Sequence, residues 1–156
     1  RSACIGGQLD IVKWLFKSEK VNIHGQNDKA FRLACKNGRL DVVQWLHEFG
    51  EIEVYSLRDS VFPMNFRNGH ISLVIWFYEY YHLDIHANQD LAFRCACKGG
   101  SLEVAQYLHS CGGVDIHAVN NEAFQSTYDK GHLNVLRWLT CLAFDGGYPM
   151  KLILNK

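Results

Sequence analysis

Five glycines, Gly7, Gly38, Gly69, Gly100 and Gly131, recur at an interval of 31 residues without exception. Three other columns keep the same register. Two positions after each glycine stand Leu9, Leu40, Ile71, Leu102 and Leu133, and seven positions after it stand Trp14, Trp45, Trp76, Tyr107 and Trp138. Ahead of the glycines run Phe31, Phe62, Phe93 and Phe124. Self-similarity at a fixed period of this length is the signature of a repeat architecture, in which one supersecondary unit recurs along the chain.

Each repeat reads as two short helices and a loop. Phe31, Ala34, Cys35 and Gly38 fall at i, i+3, i+4 and i+7, one face of a helix. Gly38 then ends that helix, because glycine enters the left-handed conformation without a Cβ penalty. Val42, Trp45, Leu46 and Phe49 repeat the spacing in a second helix. Asp28, Asp59, Asp90 and Asn121 precede the first helices, where a short acceptor side chain is expected to cap free N–H groups. Between repeats come Val21-Asn22-Ile23-His24, Ile52-Glu53-Val54-Tyr55, Leu83-Asp84-Ile85-His86 and Val114-Asp115-Ile116-His117. One repeat cannot bury both apolar faces alone, so stacked neighbours form a continuous core. Small Ala34 and Ala96 allow close approach. The expected fold is all-α, a helix-turn-helix solenoid with short loops between repeats. It forms a single array over 1–156: a partial repeat at 1–26, repeats at 27–57, 58–88, 89–119 and 120–144, and a C-terminal cap at 145–156. Arg1 falls inside a first helix whose loop and cap are missing, so the sequence is expected to start mid-array.

The composition suits this fold. Hydrophobic residues make up 48% and charged residues 21%, which argues against disorder. Lys+Arg and Asp+Glu number 16 each, so a nucleic-acid contact would have to come from a local basic column. No stretch approaches the roughly 18 apolar residues of a membrane span. The six cysteines read as reduced thiols of an intracellular protein, since a core-rich chain does not need a disulfide framework.

Asn37-Gly38-Arg39-Leu40-Asp41-Val42-Val43 resembles the Gly-His-Leu-Glu-Val-Val segment of ankyrin repeats, and Gly69-His70-Ile71 and Gly131-His132-Leu133 carry its histidine. Asp84-Ile85-His86-Ala87 and Asp115-Ile116-His117-Ala118 resemble the family's Asp-Val-Asn-Ala loop. The resemblance covers residues 2 to about 144. It departs from the usual 33-residue repeat in its shorter period. The helix start Lys29-Ala30-Phe31-Arg32-Leu33-Ala34 also replaces Thr-Pro-Leu-His-x-Ala, so the projecting finger is expected to be short. The Ala-Phe-Arg-x-Ala-Cys-Lys phrasing further resembles ankyrin families of amoeba-infecting giant viruses. The resemblance implies a monomeric protein-binding scaffold in the cytoplasm, in the host cytoplasm for a viral protein, with a host factor as its partner.

The third repeat is off-pattern. Pro63 stands where other repeats have Arg32 and Arg94, and with Asp59 as cap this helix is expected to begin late. The same repeat carries Trp76, Phe77, Tyr78, Tyr80 and Tyr81, so an exposed aromatic face at Ile75, Tyr78 and Tyr81 is a second candidate surface.

Chemistry is scarce. Cys95, Cys97, His109 and Cys111 have ligand types that suit zinc, but Cys95 and Cys97 point about 200° apart on a helix, and Cys97 belongs to a core column with Cys4, Cys35, Phe66 and Tyr128. His24, His86 and His117 recur one per repeat, and packed helices about 8–10 Å apart place them too far from one another for one ion. Arg32 and Arg94, four residues after Asp28 and Asp90, are expected to form local ion pairs worth about 0.2–0.5 kcal/mol. No nucleophile elbow, phosphate loop or metalloprotease pair is present. The expectation is therefore no enzyme, no catalytic residue, no metal, no cofactor and no small-molecule ligand.

The binding face implied by the resemblance is the concave one, built from the first helices. It has three columns: Leu33, Met64, Cys95 and Ser126; Lys36, Arg67, Lys98 and Asp129; and Asn37, Asn68, Gly99 and Lys130. Apolar residues flanked by cations suit a protein partner. Two alternatives are nucleic-acid binding through Lys36, Arg67 and Lys98, and an architectural spacer in a longer protein.

Overall fold

The computed structural model describes the backbone of residues 2–18, 25–49, 52 and 54–145, and the side chains of these residues apart from 25–27, 54–60 and 145. The loop residues His24 and Glu53, the side chains of Tyr55 and Asp59, and the proposed cap over 146–156 lie outside the described residues. Among the described residues there are ten helices and no strand: α1 Ser2–Gly6, α2 Leu9–Lys17, α3 Gly25–Lys36, α4 Leu40–Phe49, α5 Val54–Asn68, α6 Ile71–Tyr81, α7 Ala87–Gly99, α8 Leu102–Ser110, α9 Ala118–Asp129 and α10 Leu133–Asp145. The architecture is an all-α helical repeat.

The chain divides into two compact units, Arg1–Asn65 and Phe66–Lys156. In the N-terminal unit α1 and α2 form one hairpin and α3 and α4 the next, with α1 packed on α3 and α2 on α4. In the C-terminal unit α7/α8 and α9/α10 repeat that arrangement, with α7 on α9 and α8 on α10. Stacking of like helix on like helix is the geometry of a solenoid, in which neighbouring repeats bury each other's apolar faces. The core follows the sequence columns. Phe31, Phe93 and Phe124 are almost wholly buried, as are Ala34 and Ala96 beside them and Val42, Val104 and Val135 from the second helices. The column of Cys4, Cys35, Phe66 and Cys97 is buried too, but its last member Tyr128 is 59% exposed. Tyr128 lies on α9, and among the described residues no further hairpin stacks on α9 and α10.

The five periodic glycines have φ of 71°, 69°, 76°, 75° and 70°, so each turns the chain between first and second helix in the left-handed conformation. The residue after three of these glycines, Gly38, Gly100 and Gly131, bonds the preceding repeat. Arg39 Nε donates to the Ile5 carbonyl oxygen at 2.9 Å, and Ser101 Oγ donates to that of Arg67 at 2.9 Å. His132 Nε2 lies 3.2 Å from the Lys98 carbonyl oxygen, placed to donate as the Nε2–H tautomer. Each bond spans 34 residues and meets a carbonyl near the end of the preceding first helix, one of those that a helix end leaves without an internal donor.

Three expectations are corrected. First, the Asp90 carboxylate does not cap the free N–H groups at the start of its own helix. Asn88, Gln89 and Asp90 have φ of 55°, 58° and 55°, and Val119, Asn120 and Asn121 have φ of 53°, 54° and 63°. Each trio makes a left-handed turn within the first turn of its helix, and Asp28 has φ of 51° at the matching place in α3. Second, Asp90 and Arg94 do not pair. Arg94 Nη2 and Nε donate to the carbonyls of Asn88 and Gln89 at 2.8 and 2.9 Å, stabilising the left-handed turn. The Asp90 carboxylate instead accepts from His86 Nδ1 at 2.7 Å and from the Asp115 backbone N–H at 3.0 Å, the latter across to the next loop. His117 Nδ1 and Asn121 Oδ1 repeat the first of these contacts at 2.5 Å. Third, the helix of the third repeat does not begin late: α5 starts at Val54 and holds Pro63 in its interior. Proline removes the N–H that would bond the carbonyl four residues back and its ring crowds that carbonyl, so Pro63 costs α5 stability without ending it.

Candidate partner-binding face

The last turns of α3, α5 and α7 carry Lys36, Arg67 and Lys98, whereas α9 ends in Asp129. In the N-terminal unit Lys36 is exposed, while Leu33 and Asn37 are half-buried at the end of α3, with Asn37 Nδ2 donating to the Leu33 carbonyl at 2.7 Å. Met64 on α5 is half-buried. In the C-terminal unit Arg67 and Asn68 are exposed, and Lys98 and Ser126 are half-buried on α7 and α9. Cys95 is the exception. It is 6% exposed, and the Arg67 charge lies near its sulfur. The apolar contact expected at Cys95 is therefore covered, because α7 turns that position into the packed surface rather than toward solvent.

Two residues that the column reading passed over complete the surface of the C-terminal unit. Arg94, anchored by the turn carbonyls, also bonds Glu122 on the next first helix through Nη1. Lys98 Nζ lies 3.9 Å from the other oxygen of Glu122. Glu122 stands in a column with Lys29, Ser60 and Leu91, so repetition carries no sign of it; the signal was a charge reversal at one position. Gly99 shapes the same surface. A Cβ built there would fall 1.9 Å from the Arg67 carbonyl oxygen, so the end of α5 lies directly against the end of α7.

The second candidate surface is also modified. Ile75, Tyr78 and Tyr81 on α6 are half-buried, and Tyr80, at 58%, is the exposed ring. Trp76 stacks on Tyr80 with centroids 5.5 Å apart and meets Tyr81 edge-on at 5.9 Å. Tyr78 meets Tyr107 of the next repeat at 6.3 Å. The aromatic excess is taken up largely by rings packing on one another.

The thiols hold a structural place. All six cysteines are free; Cys4, Cys35, Cys95 and Cys97 are buried, and Cys111 and Cys141 are exposed. Burial pushes the Cys97 thiol up to about 12 and raises those of Cys4 and Cys35 as well. At Cys95 burial also wins, the Arg67 charge and hydrogen bond offsetting only part of it. Because the thiolate is the reactive form, Ellman's reagent at pH 8 is expected to modify Cys111 and Cys141 promptly and the buried four only on unfolding. Prompt reaction of more than these two would contradict the packing. Among the described residues no group of three or more His, Cys, Asp or Glu converges as a metal site would require, and no helix is long and apolar enough to cross a membrane.

Residues 1–47 match the family model for ankyrin repeats (many copies). No curated protein matches the chain. Ankyrin repeats are in general protein-interaction modules and typically not enzymes.

Proposed function

We propose that the chain is a protein-binding scaffold whose partner lies against the exposed last turns of the first helices. The observation that carries this reading is a repeated cation: Lys36 in the N-terminal unit and Arg67 and Lys98 in the C-terminal unit recur at 31-residue spacing, each exposed or half-buried at the end of α3, α5 or α7. The other side chains with chemical potential serve the repeat. His86, His117 and His132 hold loops and helix ends, and four of six thiols are packed in the core. The resemblance to giant-virus ankyrin families supports reading the partner as a host factor met in the host cytoplasm.

Leu33→Glu, Met64→Glu and Lys98→Glu, combined in one variant, test the face. Each replaces an apolar or positive contact with a negative charge at a position that is not fully buried, so the fold should survive. Partners recovered by crosslinking from a lysate are expected to be lost from the variant. If every partner survived all three changes, the first-helix face would be the wrong surface.

A further inference from the structure

We infer that the first-helix face of the C-terminal unit binds an acidic peptide segment, whose carboxylates engage Arg67 and Lys98 beside Glu122. This rests on the reading of that face as the partner-binding one and adds the chemistry of what it takes.

The fold fixes a local charge imbalance at this face. Arg94 and Lys98 on α7 lie beside the end of α5 that carries Arg67, and among the described residues the one carboxylate bonded to this group is Glu122. Glu122 is engaged by Arg94, whose other nitrogens are held by the carbonyls of Asn88 and Gln89, so that guanidinium is fully employed and fixed. Lys98 touches Glu122 only at 3.9 Å and keeps 40% of its side chain exposed. Arg67 is exposed, and its contact is the Cys95 thiol, which burial keeps neutral. Two positive charges are thus in excess beside one shared carboxylate.

The cations are also held close together. Gly99 follows Lys98 directly and lets the Arg67 backbone come to the distance a Cβ would forbid, while Ser101 Oγ ties the Arg67 carbonyl at 2.9 Å. Holding like charges side by side is unfavourable, and an anionic partner relieves it. A carboxylate gains charge-assisted hydrogen bonds there, and an arginine fork takes it in bidentate geometry. The patch does not suit a nucleic acid. A phosphate backbone needs a continued basic row, and here Glu122 sets negative charge on α9 beside Arg94 and Lys98. Two excess charges at one place fit a peptide with two or three spaced carboxylates.

Fluorescence anisotropy of labelled hexaglutamate and hexaglutamine peptides with the full chain at low salt tests the inference. Hexaglutamate is expected to bind roughly tenfold more tightly than hexaglutamine, as charge-assisted contacts at a partly exposed site allow. R67Q with K98Q is expected to remove that preference. K13Q with R137Q, which removes the same charge from second helices, is expected to keep it. Thermal melts establish that both variants are folded. Equal binding of the two peptides, an equal loss in both double variants, or tighter binding of oligothymidylate through Arg67 and Lys98 would each overturn the inference. If the peptide preference is absent while partner crosslinking still fails in the triple glutamate variant, the face is right and its chemistry wrong. If that crosslinking survives, the scaffold reading itself falls.

Discussion

Asp90→Ala is expected to destabilise the protein by about 2–4 kcal/mol, among the larger effects of any single polar substitution in it. The carboxylate is 6% exposed and accepts from two donors, the His86 ring and the Asp115 backbone N–H. Alanine leaves both donors without their acceptor, in loops that depend on each other across one repeat. It also puts a residue without a local acceptor at φ 55°, where a non-glycine residue costs roughly 1–2 kcal/mol. Asp90→Asn is the informative contrast. The next repeat carries Asn121 at this place, with the same contact to His117 and a similar φ, so the amide should keep the ring contact and lose only the second acceptor. About 1 kcal/mol is expected for that variant. Urea denaturation of the two variants decides it: equal losses would mean that the link to Asp115 carries the whole effect, and no loss in Asp90→Ala would contradict the network.

Gly99→Ala is expected to destabilise by about 1–3 kcal/mol, the range for forcing extra volume into a packed contact. Two effects oppose each other. Alanine in a helix interior gains roughly 1 kcal/mol over glycine in propensity. The added Cβ, however, would lie 1.9 Å from the Arg67 carbonyl oxygen and 2.7 Å from its carbon, both backbone atoms that cannot swing aside. The helix ends must separate by more than an ångström, and the Ser101 bond to the same carbonyl is strained with them. Sterics therefore win. The same column holds Asn37, Asn68 and Lys130, so nothing in the repeat pattern demands glycine here; the requirement belongs to this one pair of helix ends. A thermal melt that shows Gly99→Ala as stable as the parent would contradict the close approach, and with it the placement of Arg67 beside Lys98.

What repeats in the sequence was legible, and what occurs once or between repeats was not. The glycine column foretold the left-handed turn at each hairpin, and the Phe and Ala columns foretold the core, because backbone sterics and apolar burial act locally and identically in every repeat. The left-handed trios in the first turns of α7 and α9 have no such signal. Asn and Asp tolerate that conformation, but Gln89 and Val119 do not favour it, and the carbonyls of Asn88 and Gln89 are held by Arg94, which the i, i+4 spacing pairs with Asp90. That error came from counting along one helix when the guanidinium bonds across to Glu122, 28 residues away. Cys95 differs for a related reason: its place in the column puts it on the groove side, but α7 packs it inward and leaves it 6% exposed. Pro63 was overread, since a proline disfavours a helix interior without forbidding it.

The central claim is that a partner meets the first helices and not the second. A photo-crosslinking amino acid placed at position 98 on α7, and separately at position 106 on α8, compares a half-buried first-helix site with an exposed second-helix site of the same repeat. The account predicts a crosslinked partner from position 98 that is absent from position 106. A partner captured at 106 and not at 98 would contradict it.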